Sequence, residues 1–179
     1  MGEGAHEWRV PGMPRIGACI CGKSVTPVEV LPLTASDREQ WEALARAYKA
    51  FYLTDLPDSA YDDTWQRLLQ RDGIRGLCAR IDGRFVGITH FLFHTGIWSP
   101  CPCYLEDLFV EPAARGRGLA RALIEAVAKC AREDGAGRLY WMTHETNATA
   151  RALYDKVAAR SGFIEYEYPL INRSAGPGG

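Results

Sequence analysis

The sequence predicts a mixed α/β domain built on a largely antiparallel sheet. Three observations carry that expectation. Segments with period-two apolar alternation are interspersed with segments of helical period. An Asp82-Gly83 pair joins two alternating segments, the strongest short signature of a tight antiparallel hairpin. A turn rich in glycine and arginine then separates the alternating segment Cys103–Val110 from an amphipathic helix, the arrangement of a right-handed crossover to a parallel strand.

In chain order, Val28–Leu33 alternates and reads as a first strand ending near Pro32. Thr34 or Ser36 can cap a helix running through Phe51, with Trp41, Leu44, Ala45, Tyr48 and Tyr52 at helical spacing. After a loop containing Pro57, a second helix from near Tyr61 to Gln70 carries Trp65, Leu68 and Leu69 on one side. Gly73–Ile81 and Arg84–His94 form the hairpin, and Cys103–Val110 a third antiparallel strand. The helix opening at the glycines presents Leu119, Ala122, Leu123, Ala126, Val127 and Cys130 on one face and Arg121, Glu125, Lys129 and Arg132 on the other, and ends at Gly135. Arg138–Thr143 is expected to pair parallel to Cys103–Val110. Asn147–Arg160 gives a last helix stopped by Gly162, and Phe163–Tyr168 alternates as a final strand. The expected order is β-α-α-β-β-β-α-β-α-β. Residues 1–26 read as a flexible leader, 27–170 as one folded domain and 171–179 as a disordered tail.

Bulk properties narrow the function classes. A length of 179 residues, 47% of them hydrophobic and 24% charged, suits one ordinary globular domain. A net charge of −1 offers no overall field for nucleic acid, and no stretch has the length of a membrane span. Glu3, His6 and Glu7 near the start argue against a secretory signal. The six cysteines read as reduced thiols in a cytoplasmic protein. The spacings Cys19-x-Cys21 and Cys101-x-Cys103 do not fit zinc knuckles, and no metal is expected.

Arg115-Gly-Arg-Gly-Leu-Ala-Arg121 is the most informative segment. A helix N-terminus offers unpaired amides and positive dipole, glycines let an anion approach the backbone, and Arg115, Arg117 and Arg121 add charge. The physics points to a phosphate or pyrophosphate site. No Lys-Ser/Thr pair follows for a Walker loop. A dinucleotide fingerprint would need Gly or Ala where Arg121 stands, which disfavours a nicotinamide-dependent oxidoreductase. The pattern Arg115-x-x-Gly118-x-Ala120, together with the order of elements from Val28 to Tyr168, resembles the GNAT family of N-acetyltransferases. Tyr104-Leu-Glu-Asp-Leu-Phe-Val110 with Asn147-x6-Tyr154-Asp-Lys resembles its diamine (spermidine/spermine) acetyltransferase branch and the yeast Hpa-type relatives.

This resemblance implies a GNAT fold with a parallel strand pair at the cofactor site, acetyl-CoA as cosubstrate, and a set of roles. Leu108, Phe109 and Val110 would offer backbone groups to the acetyl and pantetheine. Arg115, Gly116, Arg117, Gly118, Leu119, Ala120 and Arg121 would wrap the pyrophosphate. Asn147 would contact the pantetheine arm, Tyr154 would stand by the thioester sulfur, and Glu106 and Asp107 would lie near the amine.

Acetyl transfer to an ammonium needs a base, a held amine, an oxyanion donor and an acid for the departing thiolate. Glu106 is the candidate base, against a structural salt bridge. A backbone amide at a bulge near Leu108 to Val110 is the candidate oxyanion donor. Tyr154 is the candidate acid, against a plain core role beside Ala150, Leu153 and Val157; a phenol and a thiol differ by only about 2 kcal/mol in proton affinity. Asp107, expected on the opposite strand face from Glu106, and the acidic loop residues Asp55, Asp58, Asp62 and Asp63 are candidates for the acceptor side, against a solvated acidic loop. His90, His94 and His144 read as hydrogen-bonded strand or loop histidines. The expected acceptor is a small cationic primary amine, a polyamine or a lysine-like molecule; the alternatives are a protein lysine, or a catalytically silent acyl-CoA-binding module. A homodimer is expected, with Tyr166 and Tyr168 as exposed aromatics.

Overall fold

The structure is a computed structural model that describes residues 27–71, 73–98, 100–168 and 170. The expected leader and tail, and with them Cys19 and Cys21, lie outside the described residues. The chain divides into two compact units, at Met142 and Thr143.

The first unit holds a five-stranded sheet in the order β1-β2-β3-β4-β5, formed by β1 (Glu29–Pro32), β2 (Ile74–Ile81), β3 (Arg84–Phe93), β4 (Cys103–Val110) and β5 (Leu139–Tyr140). Every neighbouring pair is antiparallel except β4 and β5. The β2–β3 turn is the one Asp-Gly demands: Asp82 and Gly83 take φ of 51° and 76°, the positive values of a hairpin turn whose twist matches its strands.

Helices α1 (Arg38–Phe51) and α2 (Asp58–Gln70) cover one sheet face. Trp41, Leu44, Ala45, Tyr61, Trp65 and Leu68 enter one buried cluster with Cys78, Phe85, Ile88 and Phe109. Thr34 starts this layer, as its sequence predicts: a 3-10 turn precedes α1, and the Asp37 carboxylate accepts from the Thr34 N–H and hydroxyl, both at 2.8 Å. Helix α3 (Leu119–Glu133) buries Leu119, Leu123, Val127 and Cys130 on the other face. A Cβ on Gly87 would lie 3.2 Å from Leu123 Cδ1, so α3 sits close over the sheet there. The mixed α/β class, the parallel pair and the crossover helix are as the sequence predicts.

Three elements differ in extent. Strand β5 pairs with β4 only at Cys103–Leu139 and Tyr104–Tyr140, not over Arg138–Thr143. Just beyond that pair β4 bulges: His90 faces Asp107 while Phe91 faces Leu105, leaving Glu106 as the extra residue. A bulge bends and twists its strand, which carries β4 away from a straight partner. In the second unit, α4 spans Ala148–Val157 rather than Asn147–Arg160. Beyond Val157 come Ala158, Ala159, Arg160 and Ser161, with no large apolar residue to reward another turn. Phe163–Tyr168 forms no strand, and Phe163, Tyr166 and Tyr168 are more than four-fifths exposed. Alternation supplies a face but no ladder partner, and an unpaired strand is not stable in water.

Candidate active site

The glycine–arginine turn has the geometry of an anion site. A 3-10 turn at Pro112–Ala114 leads out of β4 into Arg115. Gly116 and Gly118 then adopt φ of 77° and 80°, values that cost an L side chain about 1–2 kcal/mol. A Cβ at either would meet nothing within 4 Å, so conformation, not crowding within the protein, requires glycine here. Gly118 caps α3, whose first backbone bond runs from the Ala122 N–H to the Gly118 carbonyl at 3.0 Å. The amides of Leu119, Ala120 and Arg121 precede that bond at the positive end of the helix. Arg115, Arg117 and Arg121 are exposed. Arg115 is tethered at its stem, its Nε–H donating to the Val110 carbonyl at 3.1 Å and its guanidinium lying 5.9 Å from the Phe51 ring centroid. These residues fit a pyrophosphate.

Beside this turn runs the β4 edge. Because pairing with β5 stops at Tyr104, β4 from Leu105 to Val110 has no strand on that side among the described residues. Alternate amides and carbonyls there face outward, and an extended amide-bearing chain can add to such an edge as a strand does. Leu108, Phe109 and Val110 lie on this stretch. Their pairing with Thr89, Ile88 and Gly87 is regular, so the bulge expected near them stands instead at Glu106.

The bulge decides what the two carboxylates do. Cys103 faces α3, where its thiol senses Cys130. Regular alternation would put Asp107 in the same row. Instead Asp107 reaches the α1 side, where His90 Nδ1 lies 2.8 Å from its Oδ2. The Tyr48 hydroxyl also hydrogen-bonds to Asp107, and Glu106 adds its negative charge at the same hydroxyl. Period-two reading therefore misassigned the face of Asp107, which the bulge turns toward α1. Glu106 is exposed, whereas the Asp107 side chain keeps 18% exposure.

Burial alone would raise the Asp107 pKa, but the hydrogen bonds from His90 and Tyr48 and the positive charge of Lys49 outweigh it and hold the carboxyl below its ordinary value. Tyr48 is pushed the other way, first by burial and then by Asp107 and Glu106, so its proton stays on. His90 receives the Trp41 indole N–H at Nε2, 2.8 Å away. The result is a buried chain of polar groups from Trp41 through His90 to Asp107 and Tyr48. Sequence reasoning treated Tyr48 and Trp41 as apolar stripe residues and His90 as a bystander. Only the β3–β4 register joins His90 to Asp107, and no sequence signal reports register across a bulge.

Half of the acidic residues of the α1–α2 region are engaged in ion pairs. Asp58 pairs with Arg46 at 2.6 Å, and Asp62 with Arg38 at 2.6 Å. Asp55 and Asp63 are exposed. Two of the four charges are thus matched by α1 arginines, and the loop presents less negative potential than its composition suggests.

In the second unit, Asn147 caps α4, its Oδ1 accepting the Ala150 N–H at 3.3 Å while its Nδ2–H donates to Thr143 Oγ1 at 3.4 Å. Two turns on, Tyr154 belongs with Ala150, Leu153 and Val157 to the half-buried stripe of the helix. His144 contacts Thr146 Oγ1 at 3.2 Å and His94, in the first unit, contacts the Tyr140 hydroxyl at 2.9 Å, local roles of the expected kind.

Burial raises the thiols of Cys78 to about 11, Cys103 to about 12 and Cys130 to about 11. None of the three supplies a thiolate near neutral pH, so none is suited to a covalent acyl relay.

Known proteins match this description. The profile of the Acetyltransferase (GNAT) family covers residues 41–159. The chain is 31% identical over 144 residues to the D-amino-acid N-acetyltransferase HPA3 of Saccharomyces cerevisiae, a match spanning 78% of this chain and 89% of that protein. It is 29% identical over 132 residues to the thialysine N-epsilon-acetyltransferase of Caenorhabditis elegans, spanning 72% and 81%. Its fold resembles the ribosomal-protein-alanine N-acetyltransferase of Brucella melitensis biovar Abortus 2308, with a TM-score of 0.66 and 25% identity over 80% of this chain and 99% of that one. The chain belongs to the GNAT acetyltransferase family and is an acetyl-CoA-dependent N-acetyltransferase.

Proposed function

We propose that the acceptor is the primary amine of a small cationic molecule, a polyamine or a lysine-like compound, and that transfer is by direct attack. The observation that carries this reading is the Glu106–Asp107 bulge: a carboxylate held ionised while mostly buried, beside a second that is exposed. A buried anion with its pKa held down favours a cationic ligand over a neutral or anionic one. The relatives that act on D-amino acids and thialysine also take small amine-bearing acceptors. The raised thiols of Cys78, Cys103 and Cys130 support direct attack over a relay through those cysteines.

In this reading Asp107 holds the ammonium and Glu106, exposed, takes its proton directly or through one water. Acetyl-CoA supplies the acetyl thioester. The turn Arg115–Arg121 holds the pyrophosphate, the open edge at Leu108–Val110 aligns the pantetheine arm and offers an amide to the developing oxyanion, Asn147 contacts that arm, and Tyr154 gives a proton to the departing sulfur. The roles of Asn147 and Tyr154 rest on the family resemblance. The same reading includes a cytoplasmic location, supported by the free thiols of Cys78, Cys101, Cys103 and Cys130. It also includes a homodimer, supported by the exposed aromatics Phe163, Tyr166 and Tyr168; light scattering that finds a monomer at high concentration would remove the dimer.

A panel of amines with acetyl-CoA, read by release of free CoA thiol, tests the acceptor class. Diamines, polyamines and lysine-like amino acids are expected to turn over best. A preference for neutral or anionic amines, or turnover of protein lysines alone, would overturn it.

A further inference from the structure

Taking Asp107 as the carboxylate that holds the acceptor ammonium, as proposed above, we infer that His90 is a positioning residue that aims it, with Trp41 fixing the ring tautomer that donates.

An indole N–H can only donate. The Trp41 Nε1–H lies 2.8 Å from His90 Nε2, so Nε2 accepts and the ring proton sits on Nδ1. That proton is donated to Asp107 Oδ2 at 2.8 Å. The bond order along the chain is fixed by its first member. Neither ring can turn to escape it. Trp41 is 1% exposed and packs on Trp65 with ring centroids 4.9 Å apart, and His90 is 9% exposed. Tyr48, from α1, supplies Asp107 with a second donor.

The location explains the need. At Glu106 the β3–β4 ladder slips by one residue, and Asp107 is the first residue paired after the slip, so register alone does not fix where its carboxylate points. Side chains from α1 and β3 take over that task, tying the bulge to the core. A carboxylate with two satisfied contacts keeps further acceptor capacity. Held in one orientation, Asp107 offers that capacity to the acceptor through its exposed 18%.

Two substitutions separate the alternatives. In His90→Asn the side-chain amide nitrogen stands near Nδ1 and still donates to Asp107. In His90→Gln the amide stands near Nε2, still receives Trp41, and leaves Asp107 without its donor. Steady-state kinetics on the full chain with acetyl-CoA and 1,3-diaminopropane are expected to show the diamine KM raised about tenfold or more in His90→Gln, the loss of one hydrogen bond to a charged group. His90→Asn should stay within about threefold of the parent, and the acetyl-CoA KM should be unchanged in both. Equal diamine KM in the two variants would overturn the positioning role. Asp107→Asn serves as the reference: if its diamine KM is unchanged, the acceptor role of Asp107 fails; if it rises while the two His90 variants agree, that role stands and the positioning role alone fails. Should the His90 variants not fold, the parent protein labelled with ¹⁵N-histidine decides. Titrating 1,3-diaminopropane in the presence of CoA is expected to shift the His90 Nδ1–H resonance, and a resonance unmoved at saturation would overturn the inference.

Discussion

The proposed donor turn and the proposed acceptor corner lie at opposite ends of one stretch of chain, Glu106 to Arg121, and they are built on different principles. The turn is made of backbone: two glycines at positive φ, the first amides of α3 and exposed arginines. The corner is made of side chains drawn from α1, β3 and β4 and locked by burial. A pyrophosphate carries dense charge that dipoles and mobile cations recognise in contact with water. An ammonium that must shed its proton and face a thioester needs a carboxylate in one place, which only packing supplies. The donor end is therefore local and tolerant, the acceptor end non-local and exacting.

The largest expected effect tests whether these two ends suffice. Tyr154→Phe should lower kcat by about 10²–10⁴-fold, the range for a positioned acid, while leaving the KM of both substrates nearly unchanged. A variant within about threefold of the parent would assign Tyr154 to the half-buried stripe of α4 alone and leave the chemistry to the two ends. The same variant separates the enzyme from an acyl-CoA-binding module, in which turnover is absent from the start.

This contrast also explains what could be read beforehand. The turn was legible because its residues are consecutive and its glycines answer to φ, a local property: Arg115 through Arg121 occupy the expected helix start. The hairpin at Asp82-Gly83, the bounds of β4 and the cap at Asn147 were legible for the same reason. The corner was not. Period-two reading carries Asp107 onto the wrong face because a single extra residue, Glu106, resets the alternation, and nothing in Tyr104-Leu-Glu-Asp-Leu announces it. His90 and Asp107 meet through strand register, and Tyr48 and Trp41 through helix docking. Asp58 and Asp62 look like free acceptor-side charges until α1 brings Arg46 and Arg38 against them. The final strand failed for a related reason, since alternation in Phe163–Tyr168 names no partner.

A smaller effect should isolate the donor end. Gly118→Ala forces an L side chain into φ of 80° at the start of α3. The strain is about 1–2 kcal/mol, so the acetyl-CoA KM should rise about five- to thirtyfold with the amine KM unmoved. An equal rise in the amine KM would show that the two ends are mechanically coupled. Isothermal titration with CoA alone reads the donor term directly.

The smallest effect is on stability, and it distinguishes the ends by pH. Asp107 is held below the ordinary carboxylate pKa: burial raises it, but the His90 and Tyr48 hydrogen bonds and nearby positive charge prevail. A group depressed on folding stabilises the protein fully above its unfolded pKa, about 3.9 for Asp, and that contribution is lost as pH falls toward the folded value. Urea unfolding of the parent should therefore lose stability below about pH 4 more steeply than that of Asp107→Asn, in which the titrating group is gone. Gly118→Ala, whose strain involves no proton, should run parallel to the parent at a constant offset. If Asp107→Asn also ran parallel, the carboxylate would titrate alike in the folded and unfolded chains, and the acceptor corner would hold its charge no more firmly than solvent does.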